Sequence, residues 1–310
     1  LFSFVFTLYA ADDSEKKEKA VVTSGVLINR IDSFDIKTGE ALIDFWYWSV
    51  AEFENQLSTL ELCNGHLEPQ LMDTVRMEKD GLYYESQRYL ATVYGGINLN
   101  RFPFDQQTVS LVFEDSNLTE DDMIFKPDHL NSGYDKHYQM CEWDIKKISY
   151  SVKSCRCETS FGYLDIPSGQ GSTYSRLCVD LELDRRGSIM QKVFKYFWTI
   201  FVSVIVGLLA MFISVKNLGP RFSMAIGSLF ANVGCSYTLS EKLPKSPSPT
   251  CAEIISYISL GIIFIVLAES ILSLTLYNQG KEHLSKKLDH GTFFLALIAY
   301  GVSCAWMIYA

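Results

Sequence analysis

Five carboxylates crowd residues 114–122: Glu114, Asp115, Glu120, Asp121 and Asp122. Oxygen-rich side chains at this density are what a hard divalent cation requires, so calcium is expected as a modulator rather than a resident cofactor. The run lacks the ordered spacing of a calcium-binding loop, and a merely solvated acidic loop is the competing expectation. Cysteine offers softer chemistry. Five of the eight cysteines precede residue 188: Cys63, Cys141, Cys155, Cys157 and Cys178. Cys155 and Cys157 stand too close in sequence for a zinc pair. Cys155 and Cys178 flank an expected hairpin and can bridge only if the ladder sets them opposite each other; otherwise they are free thiols. His66, His129 and His137 have no G-x-S-x-G, H-E-x-x-H or phosphate loop beside them, so an enzyme is not expected. The chain carries 27 basic and 36 acidic residues, a net charge of −9. With no basic stripe, nucleic acid is not expected as a partner, and an acidic exterior attracts cations.

These groups must be placed by two unlike halves. Residues 1–20 begin with the apolar Leu1–Ala10, followed by the charged run Asp12–Lys19. With no initiator Met and no basic start, this stretch reads as a strand or tether from an upstream domain rather than a signal peptide. Residues 21–187 hold short alternating segments: Val21–Ile31, Ala41–Val50, Gly81–Tyr94, Thr108–Phe113, Trp143–Val152 and Tyr174–Leu183. Segments at this spacing, broken by turn signals such as Asp35–Gly39 and Asp80-Gly81, predict an immunoglobulin-like β-sandwich. Residues 188–310 hold four apolar segments, at about 196–215, 220–239, 254–276 and 292–310, and predict a four-helix transmembrane bundle joined to the β domain. Tyr196, Trp198, Trp306 and Tyr309 suit the membrane interface. Four spans place the loops 216–221 and 280–289 on one side, with Lys216, Arg221, Lys281, Lys286 and Lys287. That charge bias puts them in the cytoplasm and the acidic domain outside.

The second segment is unlike the others. Ser223, Gly227, Phe230, Gly234, Tyr237 and Glu241 recur at spacings of four and three, so one helix face collects them. A ring of such helices would form a wet mouth with aromatic constrictions at Phe230 and Tyr237. A helix packed through small residues inside a monomeric bundle is the alternative.

Phe102-Pro103-Phe104-Asp105-Gln106-Gln107 resembles the FPFDxQ signature of pentameric ligand-gated ion channels, the Cys-loop receptor superfamily. Asp80–Tyr84, Glu142–Ile145, Arg185-Arg186 and Leu243–Pro247 follow the same family's order, so the resemblance covers roughly residues 21–310. Tyr94 and Thr108 stand at the positions of the family's disulfide, and the loop 280–289 is short. Both features look like the prokaryotic members. The Pro of the first span, the Trp-x-Asp strand and the Trp-x-Pro-Glu loop are missing, with Ala51-Glu52 at the second of these positions.

The resemblance implies a homopentamer in a cell membrane, the inner membrane of a bacterium, with permeant inorganic ions passing between five copies of the second helix. It implies coupling parts: Asp105 pairing with Arg185 or Arg186, and Asp35 and Lys37 of the first hairpin turn pressing on Lys242–Pro247, with Pro244 among them. It implies a ligand pocket under the hairpin Ser154–Ser175, where Phe161, Tyr163 and Tyr174 can surround an ammonium by cation–π attraction. The extracellular ligand itself is unidentified, with protons among the possibilities. Glu241 and the acidic exterior favour cations, whereas Pro220 before Arg221 resembles anion-conducting members; cations are the expectation. A membrane-anchored sensor without conduction is the other reading.

Overall fold

The computed structural model describes residues 18–70, 74–137, 142–159, 171–243 and 248–309. Within them lie eleven strands and then four helices. The strands are β1 (Ala20–Asp35), β2 (Glu40–Ala51), β3 (Leu60–Leu62), β4 (Gly65–Pro69), β5 (Val75–Lys79), β6 (Leu82–Tyr94), β7 (Gln106–Asp115), β8 (Met123–Pro127), β9 (Gly133–Tyr134), β10 (Trp143–Cys157) and β11 (Ser172–Arg185). One sheet runs β4-β6-β2-β1-β8, with β5 on β6 and β9 on β1; the other runs β10-β11-β7-β3.

Alternation builds the core between them. Ala41, Ile43, Phe45 and Tyr47 of β2 point inward, as do Val109, Leu111 and Phe113 of β7 and Leu177, Val179, Leu181 and Leu183 of β11. These residues from both sheets form one cluster, with Phe45 and Tyr47 edging Phe113 at ring separations of 5.8 and 5.0 Å. Gly25 faces Trp48 across the β1–β2 ladder. A Cβ at Gly25 would fall inside the Trp48 ring, so only glycine lets the indole lie over that strand.

The short strands β3, β4, β5, β8 and β9 are not among the predicted segments, because two to five residues carry too little period to read. The ladder also corrects the cysteine expectation. Cys155 faces Tyr174 and Cys178 faces Ser151, so the two are out of register and both are free thiols. Residues 1–17, Cys141 and the tether expected there lie outside the described residues.

One buried charge ties β2 to β6. Asp44 is buried on β2 and accepts from Arg88 Nε and Nη2 at 2.8 and 2.6 Å and from Asn29 at 3.0 Å. The Arg88 hydrogen bonds hold its carboxyl below the usual range. A depressed carboxyl contributes stability above its unfolded pKa and loses it as pH falls through the folded value. Asp44→Asn should therefore lower stability at neutral pH and flatten the loss between about pH 5 and the acid limit, read from midpoints of unfolding across pH.

The helices are α1 (Ile189–Leu209, continued by a 3₁₀ turn Ala210–Phe212), α2 (Leu218–Glu241), α3 (Cys251–Asn278) and α4 (Glu282–Tyr309). Capping explains why α1 begins seven residues before the expected 196. Ser188 accepts from Gln191 N–H, and the Gln191 side chain accepts from Ser188 N–H in return. Thr250 and Glu253 make the same reciprocal pair at the start of α3. The expected loop 280–289 is mostly helix, because α4 starts at Glu282 rather than 292. Its first turns are charged, and an apolar run could not reveal them.

Among the described residues, three helical segments are long and apolar enough to cross a membrane: Ile189–Phe212, Cys251–Asn278 and Glu282–Tyr309. The expectation of four is corrected on this point. α2 is a helix of the expected extent, but its polar groups keep it below that composition. Hydroxyls bind α4 to α3: Ser259 to Tyr300 at 2.8 Å and Ser273 to Ser285 at 2.7 Å.

Candidate pore and coupling site

α2 carries two stripes. Arg221, Ala225, Ser228, Asn232 and Leu239 are buried against the other helices. Ser223, Gly227, Phe230, Gly234, Tyr237 and Glu241 are all exposed. Five of the six exposed positions, all but Tyr237, follow a buried one by two residues, or about 200° around the axis. The helix thus turns one face into the bundle and presents the opposite face, small residues and two rings, to the outside. Phe230 and Tyr237 are 70% and 65% exposed. An open apolar groove of about 490 Å³ runs along the flank between α1 and α2, past Trp198, Val202, Val206, Met224 and Ala231.

The inner stripe holds a group that sequence reading missed. Arg221 is completely buried. Its Nη2 donates to Glu269 Oε2 of α3 at 2.6 Å and to Asp289 Oδ1 of α4 at 2.9 Å, and its Nε donates to Ser270 at 2.9 Å. One guanidinium therefore ties three helices. This corrects the sequence picture of Arg221 as a loop charge beside the pore mouth: the side chain points away from the exposed stripe, and two carboxylates face it. A lone acid in an apolar run, such as Glu269, was the available signal.

At the other end, the β6–β7 loop enters the helical core. Leu99 and Phe102 are buried in the same cluster as Phe197 and Ile200 of α1, with Ile97 and Phe104 packed against it. Phe102 lies edge-on to Tyr196 at 5.0 Å, and Phe104 stacks on Phe197 at 6.3 Å. Asp105 accepts from Arg185 Nε at 3.1 Å and Nη2 at 3.2 Å, and from Gln107 Nε2 at 2.6 Å. The guanidinium lies over the rings of Trp143 at 4.3 Å and Phe102 at 5.0 Å. A buried bidentate ion pair between two aromatic planes thus ends β11 just before α1.

The alternatives to this pair separate. Arg186 pairs with Asp144 at 3.3 Å and not with Asp105. In the first hairpin turn, Asp35 accepts from Lys37 N–H at 2.8 Å and both side chains are exposed. Between them Ile36 packs against both the β core and the helical core. The apolar tip, rather than the two charges, is what the turn inserts. Pro244, Phe161 and Tyr163 lie outside the described residues. Tyr174 sits on β11 opposite Cys155.

The five carboxylates expected to converge on a cation do not. β7 alternation sends Glu114 and Asp115 to opposite faces of the sheet. Asp115 accepts from Thr59, Asn117 N–H and Leu118 N–H. Glu120 accepts from Ser154, Asp121 pairs with Lys19 at 3.5 Å, and Asp122 accepts from Thr119. Glu114 pairs with Arg176.

No family model matches the chain. Two curated proteins resemble it. One is pH-sensitive chloride channel 2 of Anopheles gambiae, 24% identical over 213 residues, covering 68% of this chain and 33% of the relative. The other is gamma-aminobutyric acid receptor subunit epsilon of Homo sapiens, 21% identical over 301 residues, covering 88% of this chain and 57% of the relative. The chain thus spans a third of one relative and somewhat over half of the other. The relatives that accompany this β domain, its apolar helices and its buried junction are a channel and a receptor subunit, in keeping with the Cys-loop resemblance of the motifs.

Proposed function

We propose that the chain is one subunit of a homopentameric ligand-gated ion channel in a cell membrane, with the β domain outside and α2 lining the pore. One observation carries this reading: α2 turns its polar stripe out of the bundle, opposite the stripe that packs inward. Exposed to lipid, Ser223, Gly227, Gly234 and Glu241 would lack any apolar benefit. Gathered around an axis, they meet water. The two rings then form the narrow parts of the path, and the α1–α2 groove offers a seat to a neighbouring copy. The prokaryotic assignment rests on Tyr94 and Thr108 at the family's disulfide positions.

Cations are proposed as the permeant ions. Arg221 is turned away from the stripe and neutralised, which leaves Glu241 as the charged residue on it. Anions are the second reading, favoured because one relative is named a chloride channel. Reversal potentials in bilayers with a salt gradient separate the two. Glu241→Gln should reduce cation conductance without stopping opening, and Phe230→Ala should raise current in the absence of ligand. A purified, folded chain that gives no unitary currents in either form leaves the membrane-anchored sensor.

An extracellular ligand is proposed to open the channel. Its pocket is assigned to the β10–β11 hairpin that carries Tyr174. Calcium is included as a modulator acting through the acidic field of Glu120, Asp121 and Asp122 rather than a chelating cage. Currents unchanged by millimolar calcium would remove it.

A further inference from the structure

The outer face of the four-stranded sheet holds a cluster that the channel reading does not use. β3 lies antiparallel on β7 in a register that sets Glu61 directly opposite Glu114. Two carboxylates facing each other across a ladder repel. The ladder continues one step, with Cys63 N–H donating to Val112 carbonyl oxygen at 2.8 Å, so Cys63 follows Glu61 by two residues on the same face. The Glu61 and Glu114 carboxylates and the Cys63 sulfur all offer ligand atoms within 4.8 Å of one another. The strand spacing and pleat alone create this convergence. In the sequence, Glu114 lies far from Cys63.

The neighbours sharpen the chemistry. Glu114 is buried and is held from the next strand by Arg176, as an outer partner holds a metal-binding carboxylate in place. Glu61 makes no ion pair among the described residues, and both it and Cys63 are exposed. The cluster thus offers one sulfur and two carboxylate oxygens on a single face of the sheet. One sulfur with two carboxylate oxygens does not suit calcium, which takes six or more oxygens. It suits a borderline-soft dication with low coordination number, and three protein ligands leave a position for water.

We propose that Glu61, Cys63 and Glu114 form a binding site for a zinc-class divalent cation on the outer face of the β domain. The proposal does not rest on the pore, because it concerns ions held by the folded chain rather than ions conducted.

The test uses the full chain purified in detergent, with Cd²⁺ as an optical probe and Zn²⁺ followed by titration calorimetry. The unaltered protein should show a cadmium–thiolate charge-transfer band saturating at one ion per chain. Cys63→Ser should abolish the band. Glu61→Gln, at an exposed position that leaves the fold unburdened, should weaken Zn²⁺ binding by at least the roughly 10–100-fold that loss of an outer partner costs. Cys157→Ser and Glu120→Gln should bind as the unaltered protein does. The proposal is overturned if the unaltered protein gives no band, if the band survives in Cys63→Ser, if Glu61→Gln binds Zn²⁺ normally, or if Glu120→Gln weakens binding instead.

Discussion

Arg221→Met should lower the stability of the folded chain in detergent by about 3–5 kcal/mol, the usual cost of removing one partner from a buried ion pair. The size follows from what is left behind. Glu269 and Asp289 are 4% and 9% exposed at their side chains and would face each other without the guanidinium that separates them. Ser270 and the Ile213 carbonyl would also lose their donor. Replacing all three charges together, as Arg221→Met with Glu269→Leu and Asp289→Leu, should recover most of that loss. Desolvating three ionised groups offsets much of what their attraction returns, and apolar side chains of similar volume avoid that cost. Thermal midpoints of the single and triple variants measure both effects. A single variant as stable as the unaltered chain would mean the triad contributes nothing. The triad also fixes the rotation of α2. If it holds the polar stripe toward the axis, the triple variant should remain folded yet conduct differently from the unaltered chain.

Asp105→Asn should uncouple the two halves. The Arg185 guanidinium would remain between Trp143 and Phe102, but its buried counter-charge would be gone. The β6–β7 loop that carries Asp105 is the same loop that buries Leu99 and Phe102 in the helical core. Energy lost at this pair is therefore lost from the joint. If the chain is the proposed channel, a change of about 3 kcal/mol is on the order of a hundredfold in the equilibrium constant for opening. Single-channel open probability in bilayers, at matched surface expression, gives the measurement. Arg185→Lys should not rescue it, because an ammonium can neither bridge both carboxylate oxygens nor stack flat between two rings. Unaltered opening in Asp105→Asn would make the pair a static clamp. By contrast, charge removal at Asp35 or Lys37 should matter less than Ile36→Ala, since the apolar residue makes the contact.

Much of the architecture was legible because the periods are long. β2, β6, β7 and β11 alternate over enough residues to read, and three apolar runs are unmistakable at membrane length. The exposed face of α2 was legible for the same reason: spacings of three and four need no partner to interpret. Helix starts were less so. Ser188 and Thr250 cap helices through reciprocal bonds with Gln191 and Glu253, and a cap is marked by these polar side chains rather than by an apolar run. The start of α4 was missed by ten residues for this reason, since its first turns hold Glu282, Lys286 and Asp289.

The sequence by itself determined the division into an acidic strand-rich half and an apolar helical half, the stripe on α2, and the motif around Asp105. It could name two arginines for Asp105 but not choose between them. Only the tertiary structure decided that, because β11 alternation and the Trp143–Phe102 sandwich admit Arg185 and send Arg186 to Asp144. The same holds for charges that meet across long separations. Arg221 reaches acids 48 and 68 residues away, and Glu114 leaves its sequence neighbours for Glu61 and Cys63. Side-chain direction along a strand or helix is a local property that residue spacing reveals. Which side chains meet depends on how those elements pack, and no local pattern contains it.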